Sequence, residues 1–104
     1  MAQSRRIKHV DPVRDKICMD SIGDNVNMMV PWYLMASYAY YEQDDPILSD
    51  GMYDRLARRL LENFEEIEHM HKHLITEDDL RAGSLLIDEY PSMVKGAVDN
   101  IRSL

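Results

Sequence analysis

The sequence predicts an all-α fold, a small helical domain of four to five helices built around a helical hairpin. Apolar residues recur three and four positions apart over two long segments, as they do on the buried face of a helix. Prolines, capping residues and glycines bracket these segments at the places where helices begin and end. Eight methionines against one phenylalanine also suit a core of packed helices, because methionine fills irregular gaps.

Composition and charge narrow the classes of protein to consider. Of the 104 residues, 45% are hydrophobic and 30% are charged, which is ordinary for a globular protein in water. The formal net charge is −7, whereas a duplex-binding protein needs a basic footprint, so we expect no direct nucleic-acid binding. The sequence contains no run of 18 apolar residues and no secretory signal. We therefore expect a cytoplasmic protein that does not contact a membrane.

The chain divides into a short arm and one domain. We expect residues 1–10 to form a flexible N-terminal arm and residues 11–104 to form a single helical domain. Within this domain, residues 31–74 form the helical hairpin and residues 75–104 form a C-terminal helical extension.

A first helix precedes the hairpin. Asp11 is a suitable N-cap, Pro12 suits the first helical position, and Gly23 ends the helix. Cys18 lies in this helix among apolar neighbours and is the single cysteine of the chain, so no disulfide can form within it. We expect Cys18 to be a small buried apolar residue.

The hairpin consists of two predicted helices joined by an acidic turn. The first covers residues 31–43, where Leu34, Tyr38 and Tyr41 share one face. Pro46 ends it, because the residue before a proline is driven out of the α region. The second begins at a cap supplied by Ser49 or Asp50. Its apolar spacing predicts a helix from about Gly51 to His73.

The C-terminal extension contains two shorter helices. Thr76 and Asp79 have the spacing of a capping box, and Gly83 interrupts the helix that they begin. The next segment, "SLLIDEYP", fits either another helical turn or an extended piece that packs on the core. The last helix begins near Pro91 and runs through Arg102.

The stretch "YYEQDDPILSDGMYDRL", residues 40–56, carries the densest chemical signal. The hairpin brings two tyrosines at the end of one helix near an aspartate, a tyrosine and an aspartate at the start of the next. Aromatic rings stack on flat cationic heterocycles, and carboxylates accept hydrogen bonds from sugar hydroxyls. Nicotinamide mononucleotide (NMN) has both parts. The alternative is structural, since an aspartate caps helices and tyrosines are common at helix junctions.

The same residues carry a family resemblance. The order Tyr-Tyr, acidic residue, proline, Ser-Asp, then Tyr-Asp-Arg-Leu resembles the N-terminal Ia domain of bacterial NAD-dependent DNA ligases. In that family the domain folds over a nucleotidyltransferase domain and holds the NMN half of NAD. The resemblance implies NAD or NMN as the cofactor. It implies the following binding residues: Tyr40, Tyr41, Asp50, Tyr53 and Asp54.

The sequence also departs from those ligases. The Lys-x-Asp-Gly motif that carries the adenylated lysine is absent, and Lys95-Gly96 lacks the aspartate. We therefore expect no catalytic residues and no enzyme activity from this chain by itself. The resemblance implies a free-standing copy of the nicotinamide-recognising domain, of a kind that fits a phage-encoded protein.

A histidine cluster is the remaining candidate site. His69 and His73 follow Glu65 at intervals of four, and His-x3-His can chelate a divalent metal on a helix. The alternative is a favourable interaction with the helix dipole, and we expect no metal.

Two functions fit these observations. The first is a non-catalytic NMN- or NAD-binding module, acting with a separate nucleotidyltransferase or DNA ligase. The second is an acidic interaction module or inhibitor that docks on a host or phage protein. An enzyme acting on nicotinamide is a third alternative, but no nucleophile or general acid is placed for it. The first function requires Tyr40 and Tyr53 to line an open groove, whereas the second allows them to be core. The sequence leaves the oligomeric state open.

Overall fold

A computed structural model describes residues 12–104 of the chain, so the predicted arm at residues 1–10 lies outside the described residues. No β-strand occurs in residues 12–104, which confirms the predicted all-α fold. The helices of this part of the chain are α1 (Pro12–Ile22), α2 (Met29–Ser37), α3 (Asp50–Asn63), α4 (Glu77–Ala82) and α5 (Ser92–Arg102).

Helix α2 is the centre of the core. Eight of its nine residues are buried, and a helix that is apolar all round has to be covered on every side. Helix α3 covers one side of α2 and forms the predicted hairpin with it, while α5 packs on α2 as well and α4 packs on α3. Helix α3 is amphipathic. Its buried residues are spaced three and four apart: Met52, Tyr53, Leu56, Ala57 and Leu60.

The C-terminal end of α2 is not a regular helix. It widens into a π-helical turn over Tyr38–Glu42, with the Gln43 N–H donating to the Tyr38 carbonyl at 3.2 Å. The next closing bond is wider still, from the Asp45 N–H to the Ala39 carbonyl at 2.9 Å. The predicted single helix over residues 31–43 is therefore wrong in its last turn. Turns of this kind are often found at functional sites.

Helix α3 is shorter than the predicted helix from Gly51 to His73. It ends at Asn63, whose side-chain amide donates to the Arg59 carbonyl at 2.8 Å. The residues beyond are rich in glutamate, and negative charge is unfavourable at the C-terminal end of a helix dipole. Turning the chain there also buries Ile67, which is 1% exposed.

The C-terminal extension follows its local signals. Thr76 and Asp79 form the capping box, with their bonds of 3.0 and 3.1 Å between side chain and backbone. Gly83 ends α4 in the left-handed region, at φ +67°. The segment that follows is not helical and packs on the core through Leu85 and Tyr90, which are both buried. The Tyr90 ring meets Tyr38 edge-on at 5.4 Å, and the Tyr90 hydroxyl donates to the Leu85 carbonyl within the segment at 3.2 Å.

Helix α1 packs on the core through Cys18 and Ile22. As expected, Cys18 is fully buried. Its burial, with a smaller contribution from the nearby Asp15 carboxylate, raises the pKa of the thiol to about 12. Within residues 12–104, no helix is both long and apolar enough to cross a membrane.

Candidate functional site

A cluster of four tyrosines forms where α2, its π turn and α3 meet. The rings of Tyr33 and Tyr53 are stacked, 4.9 Å apart with 9° between their planes. Tyr40 meets Tyr53 edge-on, with centroids 6.2 Å apart. Tyr41 is tilted against Tyr40 at 4.9 Å. Pairs of this geometry stabilise beyond the area that they bury, so these tyrosines, called the tyrosine cluster below, hold the two helices together.

The tyrosine cluster is largely shielded from water. Tyr53 is 4% exposed and Tyr40 is 7% exposed. The Tyr53 hydroxyl lies 2.6 Å from the Ser37 hydroxyl, and the Tyr33 hydroxyl donates to the Ser84 carbonyl at 2.9 Å. Burial raises the pKa of Tyr33 and of Tyr53 far above its ordinary value, so both stay neutral. Most of each ring therefore belongs to the core, and only the small exposed edges of Tyr40 and Tyr53 can line a pocket.

Three of the predicted site residues nevertheless share one small pocket. Tyr40, Tyr53 and Asp50 line it together with Ala36, Pro46 and Leu48. The pocket holds about 10 Å³ of free space, room for about one water molecule, whereas ligand pockets are usually roughly 300–1,000 Å³. Its walls are apolar or aromatic, and Asp50, which is exposed, is the one carboxylate of this lining.

Asp54 lies one helical turn after Asp50 but lines a different pocket. It lines an open groove between α3 and α4, together with Ala57, Arg58, Leu80, Arg81 and Gly83. The structure therefore brings Tyr40, Asp50 and Tyr53 to one pocket and leaves Asp54 outside its lining. Tyr41 is half-buried and touches the pocket region through the ring of Tyr40.

The position of Asp50 depends on the capping of α3. The Ser49 hydroxyl accepts from the Met52 N–H at 3.1 Å, so Ser49 is the N-cap. The Asp15 carboxylate on α1 accepts from the Ser49 hydroxyl at 2.7 Å and from the Ser49 N–H at 3.0 Å. Because Ser49 performs the capping, the Asp50 carboxylate is not used for it.

Sequence reasoning missed two supporting residues of the site. Asp15 is 34 positions from Ser49, and Ser37 is 16 positions from Tyr53. Neither contact leaves a local pattern in the sequence. The single usable signal was that a small polar residue, Ser37, interrupts an otherwise apolar helix.

The histidine cluster does not form on a helix. His69 and His71 lie in a turn after α3, with their ring centroids 5.6 Å apart. The His73 Nδ1 is 3.0 Å from the Met70 carbonyl. Burial, followed by the neighbouring His71, lowers the pKa of His69. Among residues 12–104, no group of three or more histidine, cysteine or carboxylate side chains is arranged to hold a metal.

The segment that forms this site matches a known protein family. The profile of the family described as DNA ligase-like, N-terminal NAD+-binding domain, matches residues 25–79, just over half of the chain. The chain belongs to this family. The matched residues include α2, its π turn and α3, and therefore all five predicted site residues.

Curated DNA ligases give the same result. The chain is 36% identical over 59 residues to the DNA ligase of Paenarthrobacter aurescens, covering 57% of this chain and 7% of that ligase. It is 42% identical over 60 residues to the DNA ligase of Synechococcus sp. (strain JA-3-3Ab), covering 56% and 8%. For Thermotoga maritima the match is 36% over 59 residues, covering 55% and 8%. The chain thus matches less than a tenth of the length of these relatives. No solved structure matches it significantly.

Proposed function

We propose that this NAD+-binding-domain relative is a non-catalytic module for nicotinamide nucleotides, NMN or the NMN half of NAD. One observation carries the proposal: Tyr40, Asp50 and Tyr53 converge on one pocket in the segment that matches the family. In this role the Asp50 carboxylate accepts hydrogen bonds from ribose hydroxyls or faces the cationic ring. Tyr40 supplies the aromatic wall beside it.

The size of the pocket defines what the module can do alone. A pocket of about 10 Å³ is far too small for a nucleotide, and one ring face of Tyr53 is already covered by Tyr33. We therefore propose that this domain forms one wall of the binding site. A nucleotidyltransferase or DNA ligase supplies the other wall. It also supplies the lysine that is adenylated, since this chain has no Lys-x-Asp-Gly motif. In that arrangement Tyr41 and Asp54 contact the parts of the ligand outside the pocket.

Calorimetric titration with NMN and NAD tests the proposal. We expect a dissociation constant on the order of 1 mM for NMN, about −4 kcal/mol. Asp50→Asn keeps the shape of the side chain and removes its charge, so we expect it to weaken NMN binding at least about tenfold, since hydrogen bonds to charged groups are the stronger ones.

Asp78→Asn is the matched control for this titration. Asp78 is also an exposed first-turn carboxylate, in α4 rather than α3, so the control reproduces the loss of a favourable dipole interaction. We expect it to leave NMN binding unchanged. The absence of NMN and NAD binding at several times the ~1 mM constant expected, both alone and with a bacterial NAD-dependent ligase that lacks its own Ia domain, contradicts the proposal.

Burial of the tyrosines favours a second function. If Tyr40 and Tyr53 serve only as core, the acidic surface of a chain with net charge −7 is the feature left for recognition. The module then docks on a host or phage protein as a partner or inhibitor. A folded protein that binds neither nucleotide but forms a complex with a purified DNA ligase in size-exclusion chromatography supports this function instead.

A further inference from the structure

We infer that Arg102, at the C-terminal end of α5, is a positioning residue for the candidate pocket. It anchors the Gln43–Asp45 loop, which connects the π turn to the pocket wall. The effect on ligand affinity rests on the proposed function, whereas the anchoring itself does not.

The contacts of Arg102 are concentrated on this loop. One guanidinium nitrogen, Nη2, donates to the Gln43 side-chain carbonyl at 2.7 Å and to the backbone carbonyl of Asp45. The other, Nη1, lies 3.1 Å from the Asp45 carboxylate. The planar guanidinium therefore satisfies two side chains and one carbonyl at the same time, a geometry that a lysine ammonium does not reproduce.

The anchor is better shielded than the other ion pairs of the described chain. The Arg102 side chain is 22% exposed, whereas Lys16 of the Lys16–Asp20 pair is 73% exposed. Asp45 is about half exposed, at 54%. Exposed pairs are weak because water and salt screen them. Because the Arg102 side chain is shielded and also bonds a backbone carbonyl, we expect its contact with Asp45 to be stronger than the Lys16–Asp20 pair.

The backbone of the loop takes an uncommon conformation. Asp44 has φ +53°, in the left-handed region, which aspartate and asparagine enter more readily than other residues with a side chain. Pro46, which follows the anchored Asp45 directly, lines the pocket with Tyr40 and Asp50. Movement of Asp45 therefore moves one wall of the pocket.

Arg102 reaches the loop from a firmly seated helix. Val94 and Val98 of α5 are buried, and Tyr90 meets Tyr38 of the π turn edge-on at 5.4 Å. The Lys95 ammonium also lies 6.0 Å from the centre of the Tyr38 ring. Helix α5 follows the segment that matches the family, residues 25–79. The anchor is thus a contribution of the C-terminal extension to a site that lies in the matched segment.

Amide hydrogen exchange tests the anchoring without any ligand. The reporter is the Asp45 N–H, which donates to the Ala39 carbonyl, and the reference is the amide of buried Leu60 in α3. We expect Asp45 to exchange through local opening, faster than Leu60 in every variant, and Arg102→Gln to accelerate exchange at Asp45 by about tenfold. Arg102→Lys keeps the positive charge but not the planar guanidinium with its paired donors. We therefore expect its Asp45 exchange rate to lie between those of the wild type and of Arg102→Gln. Lys16→Gln, which removes an exposed pair on α1, is the matched control. Equal Asp45 exchange in all four proteins overturns the inference.

The NMN titration then tests the positioning role. We expect Arg102→Gln to weaken NMN binding about fivefold, which corresponds to about 1 kcal/mol, at a temperature where the variant is fully folded. An unchanged dissociation constant beside accelerated loop exchange overturns the role in binding. If the wild-type protein binds no nicotinamide nucleotide, the proposed function fails, and the exchange experiment still decides the anchor.

Discussion

The two flanks of α3 differ in what they can recognise. On one flank, Tyr53 is 4% exposed, stacked on Tyr33 and bonded to Ser37. On the other, the next residue, Asp54, lines an open groove with Arg58 and Arg81. Adjacent residues of one motif therefore have different tasks. The tyrosine builds the hairpin and shapes the pocket, whereas the carboxylates are the groups left available for a ligand.

The largest expected effect comes from truncating Tyr53. Tyr53→Ala removes a buried ring that packs on two others, so we expect a loss of roughly 3–5 kcal/mol in the free energy of unfolding. Asp54→Ala, one residue further along the same helix, is expected to cost less than about 1 kcal/mol, since substitutions at partly exposed positions are usually mild. Urea denaturation of both variants measures the difference, and similar losses would abolish the distinction between the flanks.

Alkaline pH probes the same difference without a substitution. The pKa values of Tyr33, Tyr53 and Tyr90 are raised mainly by burial, so the folded protein keeps protons that the unfolded chain loses above its ordinary pKa of about 10. The tyrosines therefore make stability fall as the pH rises above about 10, by about 1.4 kcal/mol per pH unit for each of them, and the buried Cys18 thiol adds an equal slope above its ordinary pKa of about 8.5.

Denaturation between pH 8 and pH 11, a window set around the ordinary tyrosine pKa of about 10, checks this slope. Four buried groups, the three tyrosines and Cys18, contribute to the slope above about pH 10, so Tyr53→Phe is expected to make it about one quarter shallower. A stability that stays flat across this window means that the hydroxyls ionise in the folded state, and that the tyrosine flank is open to water after all.

The smallest expected effect concerns the cap of α3. Ser49→Ala removes the bond to the Met52 N–H and the partner of Asp15, and a lost N-cap costs about 0.5–2 kcal/mol. We expect it to displace Asp50 as well, because Asp50 is the first residue of that helix. Thermal unfolding gives the stability and the NMN titration gives the affinity. A Ser49→Thr variant, which retains a capping hydroxyl, should recover most of both.

Features with a local cause were predictable from the sequence. The all-α class, the Thr76–Asp79 capping box and the stop at Gly83 follow from residues that act within one helical turn. Two errors have a different origin. The end of α3 at Asn63 depends on burying Ile67 against the core, and the π turn depends on how Tyr38–Glu42 packs against α5. Tertiary contacts determine both the end of α3 and the π turn, and the spacing of apolar residues does not show these contacts.

The candidate site was predictable as a set of residues but not as a geometry. The motif predicted five residues, of which Tyr40, Asp50 and Tyr53 line one pocket. Spacing on a helix places Asp50 and Asp54 on neighbouring positions, but it does not state which neighbouring element covers each of them. Helix α4, which packs on α3, forms the groove that Asp54 lines, whereas the pocket beside Asp50 is lined from α2, its π turn and the loop before α3.

Helix α1 carries both an unreactive buried thiol and the carboxylate that holds the N-cap of α3. Cys18 is fully buried with a pKa raised to about 12, and a cysteine attacks alkylating reagents only as the thiolate. Asp15, one turn earlier in the same helix, holds Ser49. When α1 detaches, the Cys18 thiol becomes exposed and Ser49 loses its contact with the Asp15 carboxylate at the same time. The rate of Cys18 alkylation therefore measures how often this contact is lost.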